Sequence, residues 1–424
     1  MLKKIFILFT VGVFLLSCVV LYAEDSVSLD SLIQEARKNN PEILAALKRY
    51  EAAKTRIPQA KSLDDPVFGI TFEKTPGSPF QLSKTKSEDR MFSVAQALPF
   101  FGKLPLKGKI ALVESQMYAA EYKDKELGVI NDVKNIYYGL FMNYKEIALK
   151  EENLMLLENI AKVAQAKYSV GKISQEEVYK IHSEIAGLAT DIMNLKEEQP
   201  AKKARLNALI NKDPESPLGI PVLTEDLSFN TDTKSLYRHT LENQPELLIF
   251  SYAIEKNKYA KSLAKKSFFP DFIAGLVARG ITTGTIGPWD LMLSFTVPIW
   301  FWSKQRYEVK EAIANLEEAQ AAYQAMKNKA LAETKELATK VGIAKNKLAL
   351  YKTNLIPILE NSIDVSLSAF QSGKGDFMAL LDNQRMLVET KMNYFKALVE
   401  YNINLADLER NIGAGITQYY EVKE

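Results

Sequence analysis

The chain has one cysteine and two histidines in 424 residues. Cys18 has no second thiol with which to close an internal disulfide. His182 and His239 have no neighbours at ligand spacing, which excludes the common metal clusters. No nucleophile, base and orienting group come together in the sequence, so the residues do not describe an enzyme, and none describes a cofactor site. An excess of charge is lacking too: 54 Lys and Arg against 52 Asp and Glu leave a formal net charge of +2. That balance gives no electrostatic case for nucleic acid as a partner.

A long apolar run occurs only at the N-terminus. Lys3-Lys4 precedes Ile5 to Leu16, and Tyr22-Ala23 stands before Glu24-Asp25. This is the pattern of an export signal over 1–23, and the run is short for a membrane anchor. Leu15-Leu16-Ser17-Cys18 also matches a lipoprotein signal, which would lipidate Cys18. Against that, Val19 to Tyr22 stays apolar where a polar linker usually follows.

What the chain does have is a repetition. Asn40-Pro41-Glu42 returns as Gln244-Pro245-Glu246, and Pro66 returns as Pro270, both shifted by 204. Gly171-Lys172 returns as Gly373-Lys374 and Ala204-x-Leu206-x-x-x-Ile210 as Ala406-x-Leu408-x-x-x-Ile412, shifted by 202. A near-constant offset means that one structural unit occurs twice. The expected organisation is a first repeat over 24–213, a linker over 214–232 rich in Pro, Ser, Asp and Thr, a second repeat over 233–413, and a tail over 414–424.

Each repeat contains two runs that alternate with a period of two. Phe68, Ile70 and Phe72 share a face, as do Phe92, Val94 and Leu98, and Phe272, Ala274 and Leu276. The fourth run sets Trp289, Leu291, Leu293 and Phe295 against Asp290, Met292, Ser294 and Thr296. About nine residues of such alternation suit a transmembrane β-strand, and equally a soluble half-buried hairpin. In the first case Trp289, Leu291, Leu293 and Phe295 would face lipid, with Ser294 and Thr296 toward the lumen.

The remainder reads as very long helices with coiled-coil spacing. Lys103 to Tyr168 would extend about 99 Å as one helix, and Lys304 to Phe370 has similar reach, with Pro357 expected to bend or break it. Val309, Ile313, Leu316, Ala319, Tyr323, Met326, Ala330, Thr334, Leu337, Val341, Ala344 and Leu348 form an apolar or small stripe in steps of three and four. The shorter helices, Asp30 to Lys61 (with a kink or break at Pro41) and Ser174 to Asn211, together match the long one. Each repeat could therefore pair one continuous helix with one two-piece helix. The fold class is mostly α with a small β part.

Four strands cannot span a membrane alone, because lipid leaves the edge backbone groups unsatisfied. Three chains would supply twelve strands, an even number at which barrels close. The same symmetry would arrange the helices into a tube.

Taken together and in this order, several motifs resemble the TolC-type outer-membrane efflux family over nearly all of the mature chain. They are the duplicated Asn-Pro-Glu and Gln-Pro-Glu helix starts, Pro66 and Pro270 before strands, Gln96-Ala97-Leu98-Pro99-Phe100-Phe101-Gly102-Lys103, and the turns Tyr168-x-x-Gly171 and Phe370-x-x-Gly373. The resemblance implies a homotrimeric outer-membrane β-barrel continued by a periplasmic α-helical barrel. Such a protein is a passive exit duct, docking a periplasmic adaptor whose partner is an inner-membrane transporter. It implies that the turns at Gly171, Lys172, Gly373 and Lys374 form the tip that meets the adaptor. It also implies that Glu177 and Asp382 line the aperture. Gly375 and Ala379 depart from the family pattern, which can place an arginine and a second acid there. The stretch from Leu98 to Lys103 looks most like the heavy-metal branch. The competing reading from another class is a soluble periplasmic coiled-coil scaffold or adaptor.

Overall fold

The computed structural model describes residues 26–73, 90–227, 229, 232–280, 288–372 and 374–414. The signal segment with Cys18, the two strand-connecting loops, Gly373 and all but the first residue of the tail lie outside them. The order of elements repeats. The first series is α1 (Leu29–Asn39), α2 (Pro41–Lys61), β2 (Val67–Phe72), β3 (Arg90–Leu98), α3 (Lys103–Ser169) and α4 (Gln175–Leu209). The second is α5 (Thr233–Asn243), α6 (Pro245–Lys266), β5 (Phe272–Arg279), β6 (Trp289–Phe295), α7 (Gln305–Leu350), α8 (Ile356–Gln371) and α9 (Phe377–Ile412). Two short strands, β1 (Ser26–Val27) and β4 (Ile220–Pro221), pair in parallel.

The prolines at 41 and 245 end one helix and begin the next, since each sits at a first helical position where a missing N–H costs nothing. Asn40, 4% exposed, caps α2 by accepting from the N–H groups of Glu42 (2.8 Å) and Ile43 (3.2 Å). Its amide nitrogen donates to the carbonyl of Leu209 at 2.8 Å. The last turn of α4 thus meets the first turn of α2, and both pieces lie along α3. The same junction recurs where Gln244, heading α6, donates to Asn411 near the end of α9 at 3.0 Å. Left-handed residues 202 apart close both return helices: Asn211 at φ +58° and Gly413 at φ +77°.

Of the bend or break expected at Pro357, the break does not occur. A π-helical turn over Tyr351–Leu355 joins α7 to α8. Its wider i→i+5 spacing absorbs the ring and the missing donor, and π turns are a common way of carrying such an irregularity inside a helix. The 46, 5 and 16 residues of α7, the π turn and α8 form a run of 67, the length of α3. Much of the stripe on α7 is buried as its spacing predicts, including Ala319, Met326, Ala330, Thr334, Val341, Ala344 and Leu348. The main core lies midway along the long helices, where Val133, Tyr137, Leu140, Leu206, Leu348 and Tyr401 pack together. The linker between the repeats docks there. The N–H of Val222 donates to the Tyr137 hydroxyl at 2.8 Å. Glu225 accepts from both Lys352 of the π turn and Tyr394 of α9.

The four long strands form one antiparallel sheet in the order β2-β3-β5-β6. Its register sets Phe68 opposite Val94, Val94 opposite Leu276 and Leu276 opposite Leu291. The next row is Ile70, Phe92, Ala278 and Trp289. The larger residues of the alternating runs therefore share one face, and that face is uncovered: Phe68 is 78% and Leu291 74% exposed. The opposite face carries smaller and more polar rows, such as Gly69, Ser93, Val277 and Asp290. Below the sheet Asp271 binds the two repeats together, accepting from the Phe100 N–H (2.6 Å) and from Lys103 Nζ (2.8 Å). The rings of Phe100 and Phe269 stack there at 4.5 Å.

Candidate functional site: the helical tip

The far end of the long helices is built twice by the same local chemistry. α3 ends at Ser169, and Gly171 follows in the left-handed region at φ +70°, where a side chain would be strained. The N–H of Lys172 then reaches back to the carbonyl of Lys167 at 2.9 Å, capping the last turn. In the second repeat the N–H of Lys374 makes the equivalent bond to Ala369 at 3.0 Å. Both lysines are exposed. Gly373 lies outside the described residues.

The tip has its own small core. Leu157, Ile160, Ala164, Ile181, Phe370, Phe377 and Leu380 pack together, with the rings of Phe370 and Phe377 5.4 Å apart. Lys167 closes it by donating to the carbonyl of Phe370 and lying 4.1 Å from the centroid of its ring. Gly375 is required by space: a Cβ there would stand 2.8 Å from the Ala369 carbonyl carbon and the Phe370 nitrogen. A larger residue at 375, arginine included, would meet the Ala369–Phe370 backbone in this turn.

The two candidate carboxylates sit differently. Glu177 is the third residue of α4 and completes a capping box with Ser174. Its carboxylate accepts from the Ser174 N–H at 2.7 Å, and its own N–H donates to the Ser174 hydroxyl at 3.3 Å. Asp382 is exposed on α9, 4.0 Å from Arg385. Arg385 in turn pairs with Glu184 of α4 at 2.5 Å, so the two return helices are joined beside Asp382. Ser174 and Asp376, 202 residues apart, cap the two return helices. Sequence reasoning missed Lys167, Arg385 and Glu184. The i,i+3 spacing of Asp382 and Arg385 was a visible signal, whereas the contacts to Phe370 and Glu184 span about two hundred residues.

Among the described residues no three His, Cys, Asp or Glu side chains gather to hold a metal ion. Among them no helix is long and apolar enough to cross a membrane, which says nothing of a β-barrel.

The arrangement of a four-stranded sheet with one bare apolar face, carried on two pairs of aligned helices of about 100 Å, is that of a membrane channel subunit with a helical extension. The outer membrane efflux protein family matches residues 32–212 and 236–414, and the chain belongs to it. It is the outer-membrane channel component of a tripartite efflux system and not an enzyme. The chain is similar to outer membrane protein OprJ of Pseudomonas aeruginosa, at 22% identity over 91% of this chain and 84% of the relative. It is similar at 19% to the cobalt-zinc-cadmium resistance protein CzcC of Cupriavidus metallidurans, over 92% of this chain and 91% of the relative. Its fold matches that of the outer-membrane channel OprN with a TM-score of 0.77 at 17% identity, over 91% of this chain and 90% of OprN.

Proposed function

We propose that the mature chain assembles as a homotrimer, closes a twelve-stranded barrel, and serves as a passive periplasm-spanning duct. The observation that carries this reading is the sheet: its outer strands β2 and β6 each leave one edge unpaired while its apolar face is exposed. In lipid such edges must pair, and the pairing available by symmetry is β6 of one chain with β2 of the next. Trp289, Leu291, Leu293 and Phe295 then meet outer-membrane lipid. The exposed turns at Gly171, Lys172, Gly373 and Lys374 dock the tip of a periplasmic adaptor that links the duct to an inner-membrane transporter. Glu177 and Asp382 each occur three times around the aperture as acidic rings. Residues 1–23 are the export signal, with Cys18 a lipid-attachment site if processing occurs there; 24–213 and 233–413 are the two repeats, joined by 214–232, with 414–424 a tail. Heavy-metal export is the substrate reading that the Leu98 to Lys103 stretch and the likeness to CzcC favour.

Membrane fractionation with chemical crosslinking of the full-length protein tests the assembly. The expected result is a crosslinked trimer in the outer-membrane fraction. A monomer in the soluble periplasmic fraction would overturn the duct in favour of a coiled-coil scaffold.

A further inference from the structure

The chain's three tryptophans, Trp289, Trp300 and Trp302, stand at the two ends of one exposed run. Trp289 opens β6, and past Phe295 the N–H of Thr296 continues the ladder to the Asp271 carbonyl at 2.9 Å. At about 3.3 Å per residue and a tilt of about 40°, Trp289 to Val297 rises roughly 20 Å, most of the apolar band of about 25 Å on a membrane barrel. Trp300, Phe301 and Trp302 follow in a turn, each more than half exposed. Trp302 lies edge-to-face with Trp300 at 5.7 Å and with Phe301 at 5.1 Å. Tryptophan collects where lipid meets water. The two ends of the run are therefore the two margins of the lipid face, which rests on the reading that the sheet's bare face meets lipid.

The margins differ in charge. Near Trp289, Arg279 is taken up by Asp290 at 2.8 Å and by Glu73 at 3.9 Å. Past Trp302 the helices begin, and the even balance of the whole chain does not hold. In the helical turns next to the sheet and their connections (54–66, 99–110, 258–271 and 296–311), thirteen Lys and Arg stand against five Asp and Glu. α3 starts in this band with no acid in its first turn, although carboxylates are what that end of a helix favours. On α7 the band joins the aromatic turn directly. The N–H of Arg306 donates to the Phe301 carbonyl at 2.9 Å, and Lys310 Nζ lies 4.9 Å from the centre of the Tyr307 ring. Arg306 and Lys310 are exposed and lie within about 40° of each other round the helix, with Glu308 and Glu311 about 100–160° away. Neither cation makes an ion pair with a described residue.

Exposed rings and unpaired cations side by side match the two halves of a phospholipid, acyl chain and phosphate. We propose that this margin, on the helical side of the sheet, selects anionic over zwitterionic phospholipid. Arg306 and Lys310 hold the headgroup phosphates, Trp300 and Trp302 seat the upper acyl chains, and the basic band supplies a field that favours net negative charge. Arginine suits the role because its planar fork takes two phosphate oxygens at once. A zwitterionic headgroup offers the same phosphate but brings an ammonium that the band repels, and the selectivity comes from that difference.

The test is quenching of the protein's own fluorescence by brominated phospholipids, in the full-length protein reconstituted into phosphatidylcholine vesicles. Trp289→Phe leaves Trp300 and Trp302 as the only tryptophans, so the signal reports this margin alone. The expected result is that brominated phosphatidylglycerol occupies the margin at least about threefold more favourably than brominated phosphatidylcholine at low salt, the ratio falling as salt is added. Adding Arg306→Gln and Lys310→Gln should bring the ratio to about one while quenching by brominated phosphatidylcholine persists. Circular dichroism verifies that each variant is folded. Equal quenching by the two lipids before those changes overturns the proposal and leaves the duct reading standing. A preference that survives the loss of both cations overturns it too. No quenching by either lipid overturns the lipid-face reading itself, and this proposal with it.

Discussion

The amide of Asn40 donates to the carbonyl of Leu209 at 2.8 Å, joining residues 169 apart in the chain. Its oxygen meanwhile caps α2. One buried side chain thus aligns two helices end to end along α3. Asn40→Ala removes both functions, the cap being worth about 1 kcal/mol and the stranded carbonyl about 1–3 kcal/mol. Asn40→Asp keeps the cap but opposes oxygen to oxygen at Leu209, so it should recover only the smaller part. Denaturant unfolding of the solubilised protein reads both, and wild-type stability in the Ala variant would show that the junction is held by packing alone.

The register of the sheet makes the lipid-face proposal sharply testable. Leu293 lies in the bare apolar face and Ser294 in the other. Leu293→Arg should cost about 2–4 kcal/mol per chain at mid-membrane, and Ser294→Arg much less. Yield of heat-resistant oligomer in outer membranes measures the difference. Equal assembly of the two variants would mean that the sheet is turned the other way.

At the tip, Asp382→Asn should reduce cation preference of the channel in planar bilayers, most clearly at low salt where screening is weak. Glu177→Gln is the informative companion. Glutamine can still accept from the Ser174 N–H and keep the capping box, so it removes charge without fraying α4. A correctly assembled channel with unchanged selectivity in both variants would strike these residues from the aperture.

The linker contact carries a pH signature. The Lys352 ammonium, then the Tyr394 hydroxyl, hold the Glu225 carboxyl below its ordinary value of 4.5. A lowered folded-state value means that the clamp stabilises the protein fully above that pH and is lost as the pH falls through the lower, folded value. Glu225→Gln should therefore melt slightly below wild type at neutral pH, by on the order of 1 kcal/mol or less because the pair is largely solvated. The gap should close in strong acid. A constant gap at all pH values would point to packing instead.

Local chemistry was what the sequence made legible. Period-two runs gave the strands and their shared face, and duplicated prolines and glycines gave the helix boundaries and the tip turns. The capping box of Ser174 and Glu177 had a local signature that the sequence reading passed over. Pro357 marked the position of an irregularity but not its kind, because a proline signals a lost hydrogen bond, and whether a helix breaks or widens there depends on the packing around it. The contacts of Asn40 with Leu209, Lys167 with Phe370, and Glu225 with Lys352 and Tyr394 have no local signature. Each arises only when distant segments are brought together by the fold.

The equality of the two 67-residue helical runs has a consequence for how such a chain can change. They work as a pair of rulers, held apart by α6 and α9, that run from a common sheet to a common rim. An insertion in one alone would displace its turn by about 1.5 Å per residue and tilt the rim. Only lengthening both runs in step keeps the rim level, so a change of reach must be written into the chain twice.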